Sequence, residues 1–130
     1  MSAAWCFEDQ STPYTDAVLQ AVIDGAAVVV PAIWRLEVIN SLVVAERRKK
    51  ILPNKIAKFV QDLQKLPIVV DLDGLDQIFT SVLFQARRYQ RSAYDASYLE
   101  LAKRRNLPLA TKDEPLRKAA EELGLKIFQP

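Results

Sequence analysis

The stretch that decides the fold runs from residue 92 to residue 113 and reads SAYDASYLELAKRRNLPLATKD. Ser92 is suited to cap a helix over about 93–105, because its hydroxyl accepts a hydrogen bond from an otherwise unpaired backbone N–H. The apolar run 107–110 then predicts a short buried strand, and Asp113 predicts the start of another helix. Helix, strand and helix in this order are typical of an α/β chain.

The same alternation continues along the rest of the chain. Three further apolar runs, at 26–30, 68–72 and 125–128, predict short strands. The remaining segments predict helices: one from Thr12-Pro13 to Gly25, one over 32–48, one between Pro53 and Pro67, and one with an apolar stripe at Leu75, Ile78, Phe79, Val82 and Ala86. Continuous apolarity in the strands means that helices cover both faces of the sheet. We therefore predict a three-layer α/β/α domain with a mainly parallel sheet.

The composition limits the chemistry that the chain can perform. Its 130 residues are the length of one compact domain, 1–130, and 50% apolar with 26% charged residues is an ordinary globular balance. The chain contains no histidine, which excludes Ser-His-Asp and Cys-His nucleophilic schemes and the usual zinc sites. Acid–base or metal chemistry must therefore use carboxylates.

The sequence also predicts a cytoplasmic protein that is not embedded in a membrane. Cys6 is the only cysteine and cannot form an intrachain disulfide, so a reducing compartment is expected. The N-terminus has no basic segment of the kind that begins a signal peptide. The longest nearly apolar run, 25–34, contains Pro31 and is shorter than the ~20 residues that span a bilayer.

Three acids are candidate site residues, and each has a purely structural alternative. Glu37 lies in a segment, 32–45, in which ten of fourteen residues are apolar. We expect a helix of this composition to be buried nearly all round, so the Glu37 carboxylate needs a partner there. It could be bonded to the backbone or to Arg35, and Asn40 shares its helix face. Asp95 could serve only as the acid of a Ser-x-x-Asp capping box, and Asp113 only as an N-cap.

Together, the three acids point to a metal. Asp113 follows a predicted parallel strand, at the edge where open α/β sheets place their ligands, and Glu37 and Asp95 can converge there. Carboxylates brought together repel one another unless a cation compensates their charge. Oxygen ligands without histidine suit Mg²⁺ or Mn²⁺, and such an ion can activate water against a phosphodiester.

Basic residues form three groups, at 47–50, at 87–91 and at 103–105. Two of the groups end predicted helices, where cations are favoured by the helix dipole, so a solvated surface is one interpretation. The other is a rim that binds the phosphates of nucleic acid. Its candidate residues are Arg47, Arg48, Arg87, Arg88 and Arg91. A net charge of +2 does not decide between the two.

Several segments in order resemble the PIN-domain family, and specifically the VapC-type toxins. They are WCFED at 5–9, VPAIWRLEVINSL at 30–42, RSAYDASYLELA at 91–102 and LPLATKD at 107–113. The resemblance covers nearly the whole chain. It implies a Mg²⁺- or Mn²⁺-dependent endoribonuclease, usually a homodimer, that a cognate antitoxin holds inactive.

The resemblance also implies the site residues. Three of the family's four metal-binding acids correspond to Glu37, Asp95 and Asp113. Thr111 matches the family's supporting polar residue, and Asn40 and Ser92 match neighbours of the acids. The family's first strand and its first acid belong ahead of the segment at Trp5. We therefore expect both to be missing, which makes a late annotated start or an N-terminal truncation our interpretation.

Two other functions fit the sequence. The missing acid is the reason to consider a catalytically impaired PIN-like module that binds RNA or an antitoxin without cutting RNA. A small-molecule α/β binding protein has less support, because the three glycines, Gly25, Gly74 and Gly124, form no Gly-rich phosphate loop.

Overall fold

A computed structural model describes residues 5–130, which contain six α-helices and a small parallel sheet. In chain order the elements are α1 Pro13–Ile23, β1 Val28–Pro31, α2 Trp34–Arg47, α3 Pro53–Gln64, β2 Ile68–Asp71, α4 Leu83–Tyr89, α5 Ala93–Arg105 and α6 Glu114–Glu122. No helix among the described residues has the length and apolarity needed to cross a membrane. The α/β class that the sequence predicts is confirmed.

Three helices begin where the capping residues predict. The Thr12 hydroxyl accepts a hydrogen bond from the backbone N–H of Thr15 at 3.1 Å, and Pro13 occupies the first helical position of α1. Ser92 caps α5 and Asp113 caps α6 in the same way. Each capping side chain accepts a hydrogen bond from a backbone N–H that has no acceptor within the helix. The capping residue therefore determines where the helix starts.

Two of the four predicted strands are full strands. β1 and β2 pair in parallel across the crossover α2–α3, and next to them the backbone N–H of Val28 donates to the carbonyl of Pro67 at 3.2 Å. The predictions at 107–110 and 125–128 are too long, because the two segments meet only in one parallel bridge between Leu109 and Ile127. Pro108 lacks a backbone N–H, which limits how far that pairing can extend.

The chain divides into two compact units. The first unit comprises the described residues up to Val28 together with Ile33–Val69, and its buried apolar residues include Val18, Val22 and Leu42. The second unit comprises Val29–Ala32 and Val70–Pro130. Its core is a cluster of Leu99, Leu109, Leu116, Ala119 and Ala120, which joins α5 and α6 to the bridged segments.

The prediction of one α-helix over the apolar stripe at 75–86 is wrong for the first half of that segment. Residues Asp73–Gln77 form a 3₁₀ helix and Ile78–Val82 a π-helical segment, and only then does α4 begin. These segments turn by a different angle per residue from an α-helix, so a spacing of 3.6 residues does not keep one face inward. Val82 is buried, whereas Phe79 is 92% exposed.

The expectation that α2 is buried nearly all round is also wrong. Val38, Leu42 and Ala45 are buried, but Leu36 is 66% exposed and Ile39 is exposed as well. An apolar composition does not decide burial by itself, because the side chains of a helix point in all directions and only one stripe packs inward. Glu37 is consequently half-buried rather than fully enclosed.

Candidate active site

Asp95 and Asp113 lie close together in the second unit. Asp95 is in the first turn of α5, and Asp113 immediately precedes α6. Partial burial raises the pKa of Asp95, and the negative charge of Asp113 raises it further, while Arg91 acts in the opposite direction. The half-buried Asp95 and the exposed Asp113 therefore form a local concentration of negative charge.

Local hydrogen bonds hold Asp113 in position. Its Oδ2 accepts from the backbone N–H of Leu116 at 3.0 Å, and its own N–H donates to the Thr111 hydroxyl at 3.1 Å. The Arg117 guanidinium donates to the Thr111 carbonyl at 2.7 Å. Thr111, which the resemblance implies as a supporting residue, is buried. These contacts restrict how the Asp113 carboxylate can turn.

Ser92 and Arg91 flank Asp95. The Ser92 hydroxyl accepts from the Asp95 N–H at 3.0 Å, which fixes the first turn of α5 and the place from which the Asp95 side chain leaves the backbone. Nη1 of Arg91 is 3.8 Å from Oδ2 of Asp113, with the arginine side chain 28% exposed. The guanidinium thus supplies part of the positive charge that the two acids attract.

Glu37, the third predicted acid, lies in the first turn of α2 and belongs to the first unit. The Ser41 hydroxyl donates to the Glu37 carbonyl at 3.1 Å and is therefore bonded to the backbone, while Asn40 is exposed. Among the side chains that the structure describes, which exclude that of Glu8, no three His, Cys, Asp or Glu residues form a group that could hold a metal ion. The first strand and first acid expected ahead of Trp5 would lie outside the described residues.

The first unit contains an open cavity of about 560 Å³ beside α2. Asn40, Ser41 and Arg48 line it from one face of α2, and Asp9 and Lys50 contribute charged groups. The sequence predicted Asn40 as a supporting residue and Arg48 as a basic rim residue, but gave no sign that they share a cavity. The fold of the segment before α1 creates it, since Phe7, Asp9 and Gln10 form part of its wall.

The sequence did not indicate two further acids, Asp71 and Glu100, which the structure shows to be buried. Asp71 ends β2 and accepts hydrogen bonds from Arg104, Arg105 and the backbone N–H of Gly74. Glu100 accepts from Nε of Arg104 at 2.6 Å. The i,i+4 spacing of Glu100 and Arg104 was the available signal. Because arginines already occupy these carboxylates, we interpret them as structural.

The predicted basic rim is distributed over both units. Arg47 and Arg48 are exposed at the end of α2, and Arg87 and Arg88 are exposed in α4, where Cζ of Arg88 is 5.8 Å from the ring centre of Tyr89. Of these five arginines, only Arg91 forms an ion pair with a predicted acid among the described residues.

The donor chemistry of the Asp95–Asp113 pair fits a divalent metal. Both donors are carboxylate oxygens, the ligands that Mg²⁺ and Mn²⁺ prefer. Burial and the negative charge of Asp113 raise the pKa of Asp95, while Arg91 acts in the opposite direction. A divalent cation would offset the repulsion between the two carboxylates.

The helices and the small parallel sheet define an α/β fold. Comparison with known families agrees, since the model of the PIN domain matches residues 4–122. The chain belongs to the PIN domain family, whose members are generally metal-dependent nucleases. A search of curated proteins gave no significant match.

Proposed function

We propose that the protein is a Mg²⁺- or Mn²⁺-dependent endoribonuclease of the VapC toxin type, which hydrolyses RNA phosphodiesters. The observation that carries this proposal is the approach of Asp95 and Asp113 at the starts of α5 and α6 in a chain of the PIN family. Helix capping does not account for both acids, because Ser92 already caps α5 and only Asp113 serves as a cap, at the start of α6.

Asp95, Asp113 and Glu37 are the residues that would hold the metal. Glu37 belongs to the other unit, so its inclusion rests on the family resemblance alone. The ion, when bound, lowers the pKa of water and offsets the charge that develops on the phosphate. Ser92 and Thr111 orient the acids, because their hydroxyls accept hydrogen bonds from the backbone N–H groups of Asp95 and Asp113. Asn40 is proposed to support Glu37 from the same helix face.

The basic residues would hold the RNA backbone. Arg47, Arg48, Arg87 and Arg88 are exposed, so they are accessible to phosphates. Arg91 is proposed to contribute beside the acids. The proposal also includes a cognate antitoxin that blocks the site, a homodimeric assembly and a cytoplasmic location.

A second candidate function is an impaired PIN module that binds RNA or an antitoxin without cleaving RNA. The specific observation in its favour is that no three-acid metal group is present among the described side chains. This candidate predicts weak Mn²⁺ binding and RNA binding that does not depend on metal.

An RNA cleavage assay with Mn²⁺, Mg²⁺ or a chelator separates the two functions. We expect cleavage with either metal, none with chelator, and a large loss in Glu37→Gln. The matched control is Glu46→Gln, an exposed acid on the same helix, which should cleave normally. Metal-independent RNA binding without any cleavage would support the binding module and contradict the nuclease.

Arg91→Gln should tighten Mn²⁺ binding while it weakens RNA cleavage. The arginine stands 3.8 Å from Asp113 and competes electrostatically with a bound cation. Because such a partly exposed pair contributes up to ~1 kcal/mol, its loss should lower the Mn²⁺ dissociation constant by about two- to fivefold. Calorimetric titration measures this change directly.

The control for this prediction is Lys118→Gln, which removes one positive charge from an exposed position of α6. It changes the net charge by the same amount but is not part of the Arg91–Asp113 contact. Equal metal affinity in wild type and Arg91→Gln, or equal tightening in both variants, would show that Arg91 does not act as a local counter-charge.

A further inference from the structure

The open cavity of about 560 Å³ beside α2, which we call the α2 cavity, is lined only by residues of the first unit. Its volume lies within the range of about 300–1,000 Å³ that is typical of small-molecule sites in proteins. Asp95 and Asp113, the central pair of the proposed metal site, belong to the second unit. The α2 cavity is therefore a separate place for a ligand, and its lining indicates which kind of ligand fits.

Part of the lining of the α2 cavity is apolar. The half-buried Phe7 contributes an aromatic residue, and Val44 and the buried Ala45 contribute aliphatic surface from α2. Aromatic side chains bind flat rings by stacking, as in the recognition of unpaired RNA bases. This part of the lining favours a ligand with a planar ring over a small, strongly hydrated ion.

The uncharged and acidic polar residues of the cavity offer more hydrogen-bond acceptors than donors. Asp9 is exposed, and an ionised carboxylate only accepts hydrogen bonds. The Ser41 hydroxyl donates its single proton to the Glu37 carbonyl at 3.1 Å, so its oxygen can only accept a hydrogen bond from a ligand. Asn40 adds an amide that both donates and accepts. A ligand with several N–H donors matches this set of groups.

Two cationic residues that follow α2, Arg48 and Lys50, also line the cavity. Between them Lys49 has a φ of 56°, the left-handed conformation with which many helices end, and the backbone N–H of Lys50 donates to the Ala45 carbonyl at 2.9 Å. This turn holds the Lys50 backbone against the last turn of α2. Two cations and the single carboxylate of Asp9 give the lining a net positive charge, which suits an anionic group such as phosphate.

We propose that the α2 cavity binds one guanine nucleotide, with its base against Phe7 and its phosphate at Arg48 and Lys50. Guanine presents a ring N–H and an exocyclic amine side by side on its Watson–Crick edge, and the Asp9 carboxylate can accept from both. Adenine and cytosine present only the exocyclic amine on that edge, and uracil only a ring N–H. The site requires neither the Asp95–Asp113 pair nor cleavage of RNA, so it stands or fails independently of the nuclease.

Calorimetric titration of the full chain with guanosine 5′-monophosphate (GMP) and uridine 5′-monophosphate (UMP), both with a chelator present, tests the base. We expect GMP to bind with a dissociation constant below about 1 mM and at least tenfold more tightly than UMP. Asp9→Asn should weaken GMP binding at least tenfold, because it removes the charge and one of the two acceptors. The matched control is Asp24→Asn, an exposed acid of the first unit, which should bind GMP as the wild type does. No GMP binding, equal binding of GMP and UMP, or unchanged GMP binding in Asp9→Asn would overturn the proposal.

A comparison of GMP with guanosine tests the place of the phosphate. We expect the wild type to bind GMP at least tenfold more tightly than guanosine, and the variant with both Arg48→Gln and Lys50→Gln to bind the two equally. The control carries Lys58→Gln and Lys65→Gln, which remove two exposed cations of the first unit that do not line the cavity. If the variant kept the full preference for GMP, or the control lost it equally, the phosphate would not lie at Arg48 and Lys50.

Competition with RNA identifies the source of the nucleotide. Bound GMP is challenged, again with a chelator, by a short uridine-only RNA and by the same RNA with one central guanosine. Displacement by the guanosine-containing RNA alone supports the proposal and assigns the cavity to a nucleotide within an RNA chain. Binding of GMP that neither RNA displaces supports it and assigns the cavity to the free nucleotide. Equal displacement by both RNAs would contradict a guanine site.

Discussion

Asp113→Asn should lower metal-dependent RNA cleavage by about a hundredfold or more, while the protein stays folded. The change removes one negative charge from the Asp95–Asp113 pair and so weakens the hold on a divalent cation. A bound metal stabilises the transition-state charge by several kcal/mol, and ~3 kcal/mol corresponds to about a hundredfold in rate. Initial cleavage rates of a labelled RNA measure the effect.

Asparagine is the informative substitution because Asp113 has two separate roles. Its Oδ2 caps α6 by accepting from the N–H of Leu116, and asparagine caps helices about as well as aspartate. Asp113→Ala would remove both the cap and the charge, and the cap alone contributes about 1 kcal/mol to stability. Glu121→Gln, an exposed acid of the same helix, is the control. Full activity in Asp113→Asn would remove Asp113 from the active site.

Arg104→Met should destabilise the protein by about 3 kcal/mol or more. The guanidinium bonds to Asp71 and Glu100, whose side chains are only 1% and 5% exposed. Its loss leaves Glu100 without this partner and Asp71 with Arg105 and the N–H of Gly74. Breaking a buried ion pair from one side typically costs about 3–5 kcal/mol, because the remaining charge is buried without compensation. Urea unfolding at neutral pH measures the loss.

Two other substitutions calibrate that result. Arg104→Lys keeps the charge but cannot bond to both acids through a planar fork, so an intermediate loss is expected. Lys58→Met removes an exposed ion pair with Asp62 and should cost less than about 0.5 kcal/mol. If Arg104→Met were as mild as Lys58→Met, the buried network would contribute little to stability.

The same network determines how stability changes in acid. Hydrogen bonding from Arg104 is the largest cause that lowers the pKa of Asp71 below its usual value of 3.8. In the range between the folded and the unfolded pKa, the unfolded chain binds the proton and the folded chain does not. This contribution is therefore fully present above about pH 4 and is lost as the pH falls through the folded pKa. Asp71→Asn should flatten the acid side of the stability profile.

Local chemistry made part of this fold predictable from the sequence. Thr12, Ser92 and Asp113 each place a side-chain oxygen where a helix start needs an acceptor, so three helix starts follow from single residues. The residues just before and within those first turns include both acids of the pair in the second unit. The sequence could thus propose Asp95 and Asp113 before their proximity was known.

Features that depend on packing were not predictable in this way. The apolar spacing at 75–86 assumed one regular helix, but 3₁₀ and π segments rotate Phe79 outward. Asp71 and Arg104 are 33 positions apart, and nothing in their local sequence shows that they meet. For Glu37, composition predicted more burial than the helix gives it, because burial depends on which neighbours cover each face.

The most direct test of the central claim is a calorimetric titration of Mn²⁺ into the wild-type chain and into Asp95→Asn. The claim is that Asp95 and Asp113 together hold the divalent metal of a nuclease. It predicts binding to the wild type that is weakened at least tenfold in Asp95→Asn, in which Ser92 can still accept from the backbone N–H of residue 95. No binding to the wild type, or equal binding to both chains, would contradict it.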